Sequence, residues 1–337
     1  MKSGFVVQVS GKRYQSFLID YIFFAWRAYS NSTVIVLYDR SFSKKTKDGL
    51  KYLEGIGCKF VLIKTDFKKL FFKKTTLFKN YLYTRNISFR QCGRFLINHP
   101  VFHEFDELYI GDIDILISRE EENLFKQHRI HSELLKMPYS DIVRKSRKKS
   151  NKGFVYSIKC FLKYGLIFFK QKRKYKNDII IHEMTGLRYI KVDEYFKKVN
   201  NNLYKYINLI GGLFDDDDLY QKYTISTFSD QQILYSLMMS SFGSVPEESN
   251  DDGIDSSNPM SICYRPHHGI HLKMFYSKSI LKLNLNNLET KNYKHYLKDF
   301  VEVYYSSEYV ELSKYRFGKC KNQINRMVKY LKSKSFL

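Results

Sequence analysis

Apolar and polar positions along the first 117 residues switch repeatedly between a period of about two and a period of about 3.6. Phe5-Val6-Val7-Gln8-Val9 is a short apolar run closed by Ser10-Gly11 and predicts a buried strand. Residues 14–29 then carry Phe17, Leu18, Tyr21, Ile22, Phe24 and Ala25 at helical spacing. Thr33 to Tyr38 predicts a second strand, 44–56 a helix closed at Gly55, and Lys59 to Ile63 a third strand. A helical stretch bearing Leu82, Phe89, Phe95 and Leu96 precedes Pro100, and Leu108 to Ile117 follows as one further strand. Strands separated by helix-length segments predict βαβ units, hence an α/β fold with a mostly parallel sheet flanked by helices. Ligands of such sheets bind beyond the carboxyl ends of the strands. That makes Val9, the last residue of the first strand, and Ser10 and Tyr14 beyond it candidate ligand contacts.

The pattern changes after residue 120. Between 144 and 176 there are thirteen Lys or Arg residues and no acid, with Phe154, Ile158, Phe161, Leu162 and Phe169 at roughly helical spacing. This predicts a basic helical insertion suited to an anionic membrane surface. Ile179 to Ile181 predicts another strand, 246–258 a polar loop, and the chain after 290 a basic, Tyr-rich helical tail. The expected organisation is one half at 1–120, a second half at 121–285 containing the basic insertion 144–176, and a tail at 286–337.

Composition narrows the function. The net charge of +23 favours anionic partners such as phosphorylated substrates, membranes or nucleic acid. No nucleic-acid-binding motif accompanies it, which argues against that partner. The five cysteines are scattered without C-x-x-C spacing, so neither a disulfide framework nor a zinc site is expected. No stretch reaches the ~18 apolar residues of a membrane span, and no apolar signal core opens the chain. The expected location is the cytoplasm, with peripheral attachment to the inner face of the plasma membrane.

The candidate chemistry centres on Asp112 and Asp114. An Asp-x-Asp triplet is weak alone, since about one is expected by chance in a chain of this size. Asp215 to Asp218 offers a second set, but it follows Gly211-Gly212 in a polar surround and reads as a solvated loop. Asp112 and Asp114 instead lie among Leu, Ile and Tyr. On one continuous strand their carboxylates would share a face, roughly 7 Å apart. Such a pair is costly unless a cation joins it, and Mg²⁺ or Mn²⁺ bridging to substrate phosphates would do so. Without the cation, the like charges should repel, so neutralising either is expected to leave the fold intact or even stabilise it.

Ile110-Gly111-Asp112-Ile113-Asp114-Ile115-Leu116-Ile117 resembles the metal-binding D-x-D strand of GT-A-fold glycosyltransferases, especially the retaining family 8 enzymes of bacterial polysaccharide and lipopolysaccharide synthesis. Arg94-Phe95-Leu96 is similar to the Arg-aromatic-Leu segment preceding that strand, which implies that Arg94 contacts the donor. Thr185-Gly186-Leu187 resembles the element bordering the acceptor pocket. Ser229-Asp230-Gln231 resembles the Asp-Gln box at a helix start, which implies Asp230 and Gln231 as catalytic candidates. His267-His268-Gly269-Ile270-His271-Leu272-Lys273 resembles the His-x-Gly-x-x-Lys ending of the core, with the Lys one residue late. The resemblance implies a metal ligand at His271 or His268 and a phosphate contact at Lys273.

Together these imply a Rossmann-like, metal-dependent hexosyltransferase, with a nucleotide-sugar-binding half at 1–120 and an acceptor-binding, catalytic half at 121–285. It would move a sugar from a nucleoside diphosphate sugar, a UDP-sugar first, to a glycan or lipid-linked glycan. Gln231 near the anomeric carbon would accompany retention; Asp230 as general base would accompany inversion. The competing class is a non-catalytic basic protein that binds membranes or nucleic acid. Convergent carboxylates discriminate the two, because a polyanion-binding face gains nothing from them.

Overall fold

Strand β1 (Ser3–Val9) is buried along nearly its whole length, as a strand covered by helices on both faces must be. It pairs in parallel with β2 (Thr33–Tyr38) and with β4 (Glu107–Ile110), and β2 pairs in parallel with β3 (Phe60–Lys64). Beyond β4 the sheet turns antiparallel, through β9 (Arg188–Lys191) and then β6 (Tyr139–Ser140). The order is β3-β2-β1-β4-β9-β6. This computed structural model describes residues 1–65, 89–141, 143–148, 179–184, 187–212, 230–245, 268–276 and 291–336.

The period of two in β1 separates two cores. Phe5, Val7 and Val9 face α2 (Leu18–Ala28) and the three C-terminal helices α8 (Lys291–Tyr304), α9 (Ser307–Leu312) and α10 (Gly318–Ser333). Val6 faces the opposite layer, built from α4 (Phe89–Leu96), α6 (Val192–Gly212) and α7 (Asp230–Phe242). The basic tail is therefore part of the main core. A buried ion pair fastens it, with the Arg316 Nε–H donating to Asp20 Oδ1 of α2 at 2.7 Å. The Arg316 guanidinium also lies 3.9 Å from the centre of the Tyr309 ring.

Three expectations change. The helix read over 14–29 divides into α1 (Gly11–Gln15) and α2. The Ser16 hydroxyl donates back to the Arg13 carbonyl, a local bond that competes with helix continuation. The strand read over 108–117 also breaks. Its pairing with β1 ends where Gly111 N–H donates to the Val6 carbonyl, and residues 113–114 turn. The chain resumes as β5 (Ile115–Ile117), which pairs with β10 (Gly269–His271) in a separate two-stranded sheet. The break lets the two carboxylates leave the buried sheet rather than continue through it.

Third, the basic segment begins as a strand and not a helix. β7 (Val143–Lys148) pairs antiparallel with β8 (Ile179–Met184), and the register sets Arg144 opposite Glu183. An Ile-rich partner strand suits a ladder there. Residues 149–176, which carry the remaining basic and aromatic positions, lie outside the described residues. So do the loop 246–258 and Asp215 to Asp218.

Candidate metal centre

The carboxyl ends of β1 and β4 are held open by side-chain bonds to the backbone. The Gly11 N–H donates to Asp39 Oδ1 at 3.0 Å, and the Gln15 amide bridges to Ser41 and Ser43 in the loop after β2. Gln8, at the end of β1, accepts the Arg94 backbone N–H at 2.8 Å and donates to Ser10 Oγ at 3.0 Å. These bonds leave a cleft of about 460 Å³ above the sheet.

Asp112, Asp114 and His271 meet in this cleft. One ligand atom from each lies within 4.8 Å of the other two. His271 Nε2 is 3.2 Å from Asp114 Oδ1. Two carboxylate oxygens and an imidazole nitrogen, open to the cleft, fit a divalent ion of the Mn²⁺ or Mg²⁺ kind that completes its shell with phosphate oxygens and water. The convergence does not come from a shared strand face. Asp112 follows the end of β4, Asp114 lies in the turn just before β5, and β10 delivers the histidine.

The register explains that delivery. His271 pairs with Ile115, and the next residue, Leu272, donates its N–H to the Asp114 carbonyl at 2.8 Å. Gly269 permits the close approach: a Cβ there would stand 2.0 Å from the Leu116 carbonyl oxygen and 2.9 Å from Ile117 Cα. Both obstacles are backbone and cannot rotate away. Gly269→Ala is therefore expected to separate β10 from β5 and to lower metal affinity at least tenfold, in line with ~1–3 kcal/mol of overpacking. Titration of the full chain with Mn²⁺ checks this; unchanged affinity would remove β10 from the site.

Arg94 binds the acidic groups together. Its Nη1 contacts Asp112 Oδ1 and donates to the Gly111 carbonyl at 2.8 Å, while its Nη2 donates to Asp230 Oδ2 at 3.1 Å. Only 7% of the residue is exposed. Burial alone would push the Asp112 carboxyl up, but the Arg94 guanidinium outweighs it and holds the group below the ordinary carboxylate range. Burial likewise works against the charge on Arg94, and Asp112 and Asp230 more than restore it. Arg94 thus keeps Asp112 ionised and links it to the first turn of α7.

The other expected site residues divide. Ser10, Tyr14, Arg94 and Lys273 line the cleft, whereas Val9 is buried in β1. Asp230 reaches the centre through Arg94, and Gln231 follows it in α7. His268 stays outside. Its Nδ1 is 3.0 Å from Glu120 Oε1 and its Nε2 is 2.8 Å from His128 Nε2, so both ring nitrogens are committed beneath the sheet. Burial disfavours the Glu120 charge, but His268 and further hydrogen bonds hold that carboxyl far below its usual range. Thr185 and Gly186 lie outside the described residues. Sequence reasoning missed Arg13, Tyr276 and Lys319, which also line the cleft. Position after β1 could have drawn attention to Arg13; nothing local marks Lys319.

No protein-family model matches the chain, and no curated protein sequence matches it. Among solved structures the chain is similar to the mannosyltransferase Ktr4p from S. cerevisiae, with a TM-score of 0.43 and 11% identity. That likeness covers 69% of this chain and spans 64% of Ktr4p. It is also similar to the galactosyltransferase LgtC, solved with donor and acceptor sugar analogues, with a TM-score of 0.36, 14% identity and 73% coverage of each chain. The bifunctional glycosyltransferase WbbM gives a TM-score of 0.43 and 12% identity over 94% of this chain and 52% of that one.

Proposed function

We propose that the chain is a metal-dependent GT-A-type glycosyltransferase that moves a sugar from a nucleoside diphosphate sugar to a hydroxyl acceptor. The observation that carries this reading is the convergence of Asp112, Asp114 and His271 at the carboxyl ends of the sheet, beside the cations of the same cleft. A basic protein that only bound a polyanion would have no use for two carboxylates there.

In the transfer, the bond between the anomeric carbon and the diphosphate breaks, and the diphosphate leaves with the electron pair. A bond to the acceptor oxygen forms and the acceptor proton is released. A bound Mn²⁺ or Mg²⁺ would supply Lewis-acid neutralisation of the leaving diphosphate. Asp112, Asp114 and His271 would hold it, with Arg94 keeping Asp112 anionic and aimed. Lys273 would bind phosphate oxygens from the cleft rim, and Ser10 and Tyr14 would contact the donor beyond β1. The Asp230 carboxylate is already engaged by Arg94. That weighs against Asp230 as a general base and supports retention, with Gln231 beside the reaction centre. A UDP-sugar as donor, and a glycan or lipid-linked glycan at an anionic membrane as acceptor, complete the proposal. Among the described residues no helix is long and apolar enough to cross a membrane.

The deciding experiment is donor hydrolysis across UDP-, GDP- and TDP-sugars with Mn²⁺, read as released nucleotide. One donor class should be cleaved, and chelation should abolish the release. No release from any donor, or release indifferent to chelator, would overturn the reading.

A further inference from the structure

The cleft contains more positive charge than its acidic groups compensate. Arg13 of α1, Lys273 after β10 and Lys319 in the first turn of α10 line it together. The salt bridges inside the cleft join Arg94 to Asp112 and Asp230, and His271 to Asp114. Among the described residues, none forms an ion pair with Arg13, Lys273 or Lys319. Lys319 is half-buried, and its ammonium lies 5.1 Å from the Tyr276 ring centre and 5.6 Å from that of Phe17. Burial, then Arg13 and Lys273, hold it below the ordinary lysine range, with Asp114 opposing them. Like charges brought together in a partly dry cleft cost free energy unless an anion occupies the space between them.

The fold holds Lys319 in this position firmly. Its neighbour Cys320 donates its N–H to Ser16 Oγ at 3.3 Å and its thiol to Asp20 Oδ2 at 3.4 Å. Three residues earlier, Arg316 makes the buried pair with Asp20. The first turn of α10 is thus fastened to the α1–α2 corner on both sides of Lys319. The two carboxylates and the imidazole of the cleft suit a divalent ion, and the cations that line it with them suit a multiply charged anion.

We propose that Lys319, together with Arg13, binds the diphosphate of the donor, so that the C-terminal helix completes the donor site. This rests on the nucleotide-sugar reading above and assigns part of that site to a segment some 200 residues from the Asp112/Asp114 pair in sequence. A charge-assisted hydrogen bond to phosphate is an interaction whose loss weakens binding roughly tenfold.

The test is calorimetric titration of the full chain with UDP and GDP in the presence of Mn²⁺. Lys319→Ala should weaken binding of the preferred diphosphate about tenfold, and Lys319→Arg should keep it within about threefold. Lys321→Ala, an exposed position on the same helix, removes the same charge and should change nothing measurable. Arg13→Ala, outside the core, should match Lys319→Ala and serves if that variant folds poorly. Equal affinities for Lys319→Ala, Lys321→Ala and the unaltered chain would overturn the proposal and leave the donor reading standing. No binding of either diphosphate by the unaltered chain would sink the donor reading, and this proposal with it.

Discussion

Asp114→Asn should reduce sugar transfer by about 100-fold or more and leave the melting temperature within a few degrees of the parent. The carboxylate is one of three groups that converge on the proposed ion, and Lewis-acid stabilisation of a leaving diphosphate supplies several kcal/mol of barrier lowering. At 1.36 kcal/mol per factor of ten, losing about 3 kcal/mol gives that 100-fold. Asp114 is 14% exposed and its ion-pair partner is His271 at 3.2 Å, so Asn fills the same space at small structural cost. Asp112→Asn should be as inactive but less stable. The like-charge repulsion expected from the sequence is offset by Arg94, which contacts Asp112 directly. Removing that charge takes a partner from a guanidinium only 8% exposed, which destabilises rather than relaxes the fold. Turnover with Mn²⁺ beside a thermal melt measures both. Near-parental turnover in Asp114→Asn would remove the aspartate from the centre.

Arg316→Ala should lower unfolding stability by about 3–5 kcal/mol, the usual consequence of leaving one member of a buried ion pair alone. Asp20 is fully buried, and without Arg316 no cation remains beside its carboxylate, which keeps the weak thiol donor of Cys320. The guanidinium also packs on Tyr309, so apolar contact is lost together with charge. Replacing both partners at once, Asp20→Leu with Arg316→Met, should recover much of the loss, because no uncompensated charge remains inside. Denaturant midpoints for the two single variants and the double one decide it. A loss below about 1 kcal/mol for Arg316→Ala would mean that the tail is fastened by its apolar contacts alone.

Much of the sheet was legible because its strands are short apolar runs between helical periods. β2 lies where it is expected, β3 is displaced by one residue and β1 begins two residues early; β1 and β2 are buried on both faces, which demands unbroken apolar sequence there. The strand at 108–117 was misread for the same reason. Ile113, Ile115 and Ile117 continue the apolar pattern through a turn, because β5 is buried against a different partner. Local pattern reports burial and does not report which strand does the burying. The basic segment shows a related limit: its first five residues read as part of a helix, yet an Ile-rich partner thirty residues on draws them into a ladder.

For the site, Asp112 and Asp114 stood out in the sequence by their own chemistry, two acids inside an apolar run. Their need for a cation follows from that placement, as does the ambiguity between His268 and His271. Tertiary structure separates the two histidines, because the antiparallel register of β10 against β5 carries His271 to Asp114 and leaves His268 on Glu120 and His128. It also placed Arg94 between Asp112 and Asp230, and it brought Lys319 into the cleft through a buried pair that spans nearly the whole chain. Periodicity and residue type act over a few positions and are written in local sequence. Which distant groups share one cleft depends on the packing of layers and the pairing of strands, and only the folded chain settles it.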